Sequence, residues 1–282
     1  MIGYGGKTAL VLVTFLFGCG TTTTISDDPI AEDDPSPPNR RNLPDGGKVV
    51  SPTPGTPAPE PASEGGMRSI ECLGQKLDAW ACEGFEGMDS PLPPFVVAAE
   101  KGSVGRATNR ALGGAASLRT TFDPLPATGK AQVVFEKPNS TPSGMSLQVS
   151  VYVEDDAHDL GDDIVLATLS GGTTRVRLHF VPTALGNVLE VRTKTAANAT
   201  TYTLGQAPKN GWACIEMELD AEGDLQVWRG KDAKVNVRLG DASPVSRAEV
   251  GIEWTHGANA NASKQFWFDD VIVGPHSVGC LH

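Results

Sequence analysis

Ser146-Leu-Gln-Val-Ser-Val-Tyr-Val153 decides the fold class of this chain. Leu147, Val149, Val151 and Val153 fall on one side of an extended backbone, and Gln148, Ser150 and Tyr152 on the other. An apolar residue at every second position marks a strand with one buried face. The same period returns along the chain. Val176, Leu178 and Phe180 alternate with Arg175, Arg177 and His179; Ile215, Met217 and Leu219 alternate with Glu216 and Glu218; Val250, Ile252 and Trp254 alternate with Glu249 and Glu253. Gly113-Gly114, Pro138 to Pro142, Gly171-Gly172 and Pro208 to Gly211 punctuate these runs as turns do. No amphipathic helix longer than about three turns is present. Ten or more strands at this spacing predict an all-β fold, an antiparallel β-sandwich, over residues 68–282. That length is ordinary for one sandwich and enough for a large core.

Three segments carry a family resemblance. Trp80-Ala-Cys-Glu-Gly-Phe-Glu-Gly87 resembles the first strand of carbohydrate-binding jelly rolls. Gly211 to Trp228 resembles the concanavalin A-like, laminin-G-like hairpin, and Phe266-Trp-Phe-Asp-Asp-Val-Ile-Val273 is similar to the terminal strand of both groups. The resemblance implies first and last strands side by side, with Glu86 near Asp269 and Asp270. It also implies a possible structural calcium at those three residues, since calcium prefers several hard oxygen ligands. The alternative is that the two aspartates cap a bulge and accept hydrogen bonds from loop backbone.

The N-terminus reads as an address. After Lys7 comes an apolar run too short to span a bilayer, the layout of a signal peptide over residues 1–18. Leu16-Phe17-Gly18-Cys19 resembles a bacterial lipobox, although Phe17 is bulkier than that motif usually allows. The resemblance implies a lipidated Cys19, a lipid anchor in the membrane, and a place in the cell envelope. Gly20 after the cysteine implies the outer membrane where a cell has two. Setting Cys19 aside leaves an even set, Cys72, Cys82, Cys214 and Cys280, as disulfides require. Three pairings are open. Residues 19–67 hold ten of the 21 prolines and no aromatic residue, so they predict a disordered, semi-stiff tether.

Catalytic motifs are not intact. Glycan hydrolases of this fold resemble one another in Glu-x-Asp-x-x-Glu, and Glu216-Met-Glu218-Leu-Asp220-Ala-Glu222 is out of register with it. Solvated glutamates on an outer face are the simpler expectation for Glu216 and Glu218. Arg175, Arg177 and His179 resemble the Arg-rich strand of glycan lyases, but no Gln-x-His accompanies them. Glu154 to Asp163 packs six acids into ten residues without EF-hand order, and reads as a solvated loop. A net charge of −11 argues against nucleic acid as partner.

Sugars are held by aromatic faces and by amide and carboxylate hydrogen bonds. Trp254, His256, Asn259 and Asn261 offer that chemistry, with Trp267 and Trp228 as further platforms. The expectation is a cell-envelope lipoprotein displaying a non-catalytic sandwich that binds carbohydrate through an aromatic-lined groove. A structural or protein-adhesion module is the alternative, and a glycan hydrolase or lyase with a divergent site is a second. The address is testable first. Cells fed labelled palmitate should label the wild-type chain and not Cys19→Ser; an exported wild-type chain that stays unlabelled overturns the lipid anchor.

Overall fold

The computed structural model describes residues 69–72, 75–137, 144–154, 162–255 and 263–280, with side chains from Leu77 onward. The chain divides into Met1–Ala58 and Pro59–His282, and every described residue belongs to the second unit. Cys19, the signal segment and the tether lie outside the described residues.

Seventeen strands and no helix occur among the described residues. β1 (Ser69–Cys72) and β2 (Gln75–Asp78) form a hairpin. β4 (Val96–Glu100), β7 (Gly129–Glu136), β9 (Ile164–Gly171), β10 (Thr174–Thr183), β11 (Gly186–Lys194), β12 (Ala199–Gln206) and β16 (Arg247–Trp254) build one antiparallel sheet, in the order β12-β11-β10-β9-β16-β7-β4. The other contains β5 (Ser103–Ala107), β6 (Ser117–Phe122), β8 (Met145–Val153), β13 (Gly211–Leu219), β14 (Asp224–Arg229), β15 (Asp232–Arg238) and β17 (Lys264–Gly274), in the order β15-β14-β13-β8-β17-β6-β5. β3 (Ala81–Glu83) completes its eight strands by pairing with β17, so the first and last segments of the domain do lie side by side.

The apolar alternation fills the space between the sheets. Leu147, Val149, Val151 and Val153 of β8 pack in one cluster with Val176, Leu178 and Phe180 of β10, with Ile215, Met217 and Leu219 of β13, and with Val250, Ile252 and Trp254 of β16. Each fully buried side chain of this size contributes about 1.5–3 kcal/mol. The opposite faces of these strands are released from core duty.

Those two outer faces are used differently. On the eight-stranded sheet the C-terminal segment after β17 lies over β13 and β8. Glu216 is fully buried there, not solvated as its position on an outer face suggests. Its carboxylate accepts from Ser277 Oγ at 2.8 Å, Val278 N at 2.7 Å, Gly279 N at 3.0 Å and Ser146 Oγ at 3.2 Å. A buried carboxylate needs such donors, because charge-assisted hydrogen bonds must replace its water. The Cys214–Cys280 disulfide fixes the same segment from its end, across 66 residues. On the chain-entropy account a loop of that length is worth about 4 kcal/mol. Cys82 is also disulfide-bonded. The side chain of Cys72 lies outside the described set.

Gly251 shows how closely the seven-stranded sheet is built. It sits at a bulge in β16 with φ +134°, and an added Cβ would stand 2.2 Å from the Ala131 carbonyl oxygen. Both conformation and space demand glycine. Gly251→Ala should cost about 2–4 kcal/mol. The check is a denaturant titration, in which an unchanged midpoint would contradict the described packing.

Candidate functional site

The outer face of the seven-stranded sheet carries a polar cavity of about 330 Å³. Strand register assembles it from four strands. In one row Arg175, Ser170, Arg247 and Glu136 stand opposite one another across β10, β9, β16 and β7. In the next, Arg177, Thr168, Glu249 and Val134 do the same, and Val96 of β4 extends that row to the sheet edge. Lys130 and Glu253 pair further along β7 and β16.

Some of these groups satisfy one another. Arg247 Nη2 contacts Glu249 at 2.9 Å and its Nη1 contacts Glu136 at 3.1 Å, while Arg177 reaches Glu253 at 3.5 Å. Others are left over. The Thr168 hydroxyl, the Arg177 Nε and both amide atoms of Gln132 are buried without a hydrogen-bond partner among the described residues. Gln132 lies beside Gly251 in the register between β7 and β16. Thr168 and Arg177 line the cavity and Gln132 stands between Lys130 and Val134 on β7, so their unpaired atoms are open to hydrogen bonds from outside. Gln148 and Ser150 on the eight-stranded sheet are unpaired in the same way.

Further along the face, Asp163 accepts from His179 Nδ1 at 2.6 Å and pairs with Arg192, which also holds Glu190 at 3.0 Å. Burial works against the Asp163 charge, but His179 and Arg192 outweigh it and hold its carboxyl below the ordinary value. Asp162 pairs with buried Lys264. The end of the acidic run is therefore ion-paired to the sheet rather than solvated. His179, expected on the wet face, is buried in this network.

At the β4 edge the same face turns apolar. Pro94, Val96, Ala98 and Val134 line a hollow of about 350 Å³ with Glu136 and Arg247. Sequence reading missed both cavities, because their residues meet only through register across distant strands.

The expected aromatic groove is not assembled by the tryptophans. Trp254 points into the core, as its period with Val250 and Ile252 requires, and its indole N–H donates to the Pro126 carbonyl at 2.9 Å. Trp267 is buried on the other sheet, its N–H donating to Asn109 Oδ1 and Arg110 lying over its ring. Trp228 is half-buried on β14, opposite Glu216. His256, Asn259 and Asn261 lie outside the described residues.

Glu86, Asp269 and Asp270 do come near one another. Asp269 Oδ2 accepts from Leu112 N and its Oδ1 from Asp270 N, both at 2.9 Å, while Glu86 Oε2 accepts from Ala115 N at 2.8 Å. β17 shifts register immediately after Asp269, and Asp270 has φ +49°. This is a bulge at which the Asp269 carboxylate holds the loop backbone of Leu112. No group of three His, Cys, Asp or Glu side chains able to share a cation occurs among the described residues. The backbone N–H groups already engage both oxygens of Asp269 and one of Glu86, so a calcium ion here would share those oxygens with them.

No protein-family model and no curated protein matches the chain. Solved structures do. The cellulose-induced protein Cip1 is similar at 16% identity with a TM-score of 0.53, over 71% of this chain and 99% of its own. They share a fold. The globular domain of T. cruzi calreticulin follows at 13% identity and TM-score 0.48, over 71% of this chain and 88% of its own. The binding domain of botulinum neurotoxin serotype G has 11% identity and TM-score 0.48, over 71% and 48%.

Burial pushes the Asp269 carboxyl up to about 7, and the charges of Asp270 and Glu86 add to it against the pull of the Leu112 and Asp270 N–H groups. An unfolded aspartate releases its proton near 3.8, so the folded state binds more protons across this window and stability falls as pH rises. Melting curves from about pH 4 to about pH 8 in chelator should show that decline, and Asp269→Asn should flatten it. Calcium added at the upper end should leave the melting temperature unchanged; a rise would show that the ion binds.

Proposed function

We propose that the domain is a non-catalytic glycan-binding module, held at the cell envelope by a lipid on Cys19. The observation that carries this reading is the cavity on the seven-stranded sheet, where Thr168 and Arg177 offer buried hydrogen-bonding atoms that nothing described satisfies. Sugars present hydroxyls at every ring position, and their recognition depends on such donors and acceptors placed at fixed spacing. This mode differs from the stacking groove the tryptophans suggested.

The non-catalytic part of the reading is supported by where the acids and bases are engaged. Glu216 is enclosed by the C-terminal segment, Glu218 accepts from Ser277 N, and His179 is tied to Asp163. A general acid or base needs reach to a substrate proton. Exposed Met88, Leu92, Val96 and Val97, clustered in sequence before and within β4, favour a second reading, adhesion to a protein.

A glycan array probed with the purified full chain separates the two. Specific binding is expected, and Thr168→Val should weaken it about tenfold while leaving stability unchanged or raised, because the hydroxyl it removes has no partner in the fold. Silence across a broad array would transfer the weight to protein adhesion.

A further inference from the structure

The polar cavity and the apolar hollow are one surface, joined at Arg247, which lines both. We infer that the occupant is a carboxylated glycan that also carries acyl groups, with its charge at the Arg175–Arg177 end and an acyl group against Val96 and Val134. The inference rests on the glycan-binding reading and names its ligand class.

Charge gives the first half. The cavity is lined by four cations, Lys130, Arg175, Arg177 and Arg247, against two carboxylates, Glu249 and Glu253. Arg247 and Arg177 occupy those two carboxylates. Lys130 and Arg175 are exposed and make no ion pair among the described residues. A positive surplus is unusual on a chain of net charge −11. A neutral sugar gives it no counter-charge. A carboxylate does, through charge-assisted hydrogen bonds to guanidinium groups.

Apolarity gives the second half. An unsubstituted sugar chain continued over Pro94, Val96, Ala98 and Val134 would set hydroxyls against four side chains that have no hydrogen-bonding group. An acetyl methyl fits there, and its polar amide or ester can face Glu136 and Arg247 at the rim.

Register sets the spacing. Arg177 and Val134 belong to one row and are separated by Thr168 and Glu249. Three strand intervals of about 4.8 Å place them about 14 Å apart. The carboxylate and the acyl group therefore sit on different sugars of one chain that runs across the strands. A polymer alternating acidic and acylated residues meets that requirement.

Four oligosaccharides of matched length test both halves by titration calorimetry on the full chain. Alternating glucuronate and N-acetylglucosamine carries charge and acyl; polygalacturonate carries charge alone; chito-oligosaccharide carries acyl alone; cello-oligosaccharide carries neither. The first should bind tightest, with affinity falling as salt rises. Arg175→Ala should weaken it about tenfold without changing chito-oligosaccharide binding. Val96→Asp should remove its advantage over polygalacturonate. Both residues are exposed, and melting curves confirm that the variants fold.

Chito-oligosaccharide binding as tightly as the alternating polymer would overturn the charge assignment. Equal binding of polygalacturonate would overturn the acyl assignment. Preference for cello-oligosaccharide would sink the whole inference while leaving glycan binding intact. If none of the four binds and the array is silent too, both fall together.

Discussion

Two sheets share one apolar layer, and the two-residue period of an extended backbone then commits every second side chain to it. Leu147 to Val153 of β8 meet Val176 to Phe180 of β10 there, and no strand can slip by one residue without sending its apolar set to solvent. Everything else follows from the residues this leaves outside. Arg175, Arg177, Thr168 and Glu249 are outward because Val176, Leu178, Ala167 and Val250 are inward. The candidate site is the reverse side of the core.

The two outer faces are covered differently. The C-terminal segment closes over part of the eight-stranded sheet. Gln148 and Ser150 there, like Thr168 and Gln132 on the other sheet, still keep buried polar atoms without a partner among the described residues. On the eight-stranded sheet Glu216 is enclosed by four donors and a disulfide anchors the segment that supplies three of them. Removing that segment would leave a buried charge without partners, a larger penalty than any one of the contacts is worth. On the seven-stranded sheet buried Thr168 and Gln132 have no such cover among the described residues. The chain itself covers the Glu216 region of one face, while the cavity of the other stands open among the described residues.

Electrostatics follow the same division. Around Asp269, like charges and burial crowd together and raise its carboxyl to about 7. Around Asp163, a histidine and an arginine do the reverse, so the end of the acidic run is stabilised against the sheet. The excess of cations over carboxylates in the polar cavity is local, and the chain's overall acidity gives no hint of it.

The strands were legible in the sequence because alternation is a local property of consecutive residues, visible in Ser146 to Val153 and again around Val176, Ile215 and Val250. The inward turn of Trp254 was legible for the same reason, from its step with Ile252. What those residues face was not. Glu216 looked like a solvated outer-face glutamate because the amides that bury it lie more than sixty residues later. Trp267 alternates away from the core, and it is covered by Arg110 and Asn109, from a loop before β6, and by Tyr152 of β8. The cavity joins Lys130, Thr168, Arg177 and Glu253 from four strands. Period along a strand determined the fold class and which side chains leave the core; register between strands, set by contacts remote in sequence, decided which of them stand together.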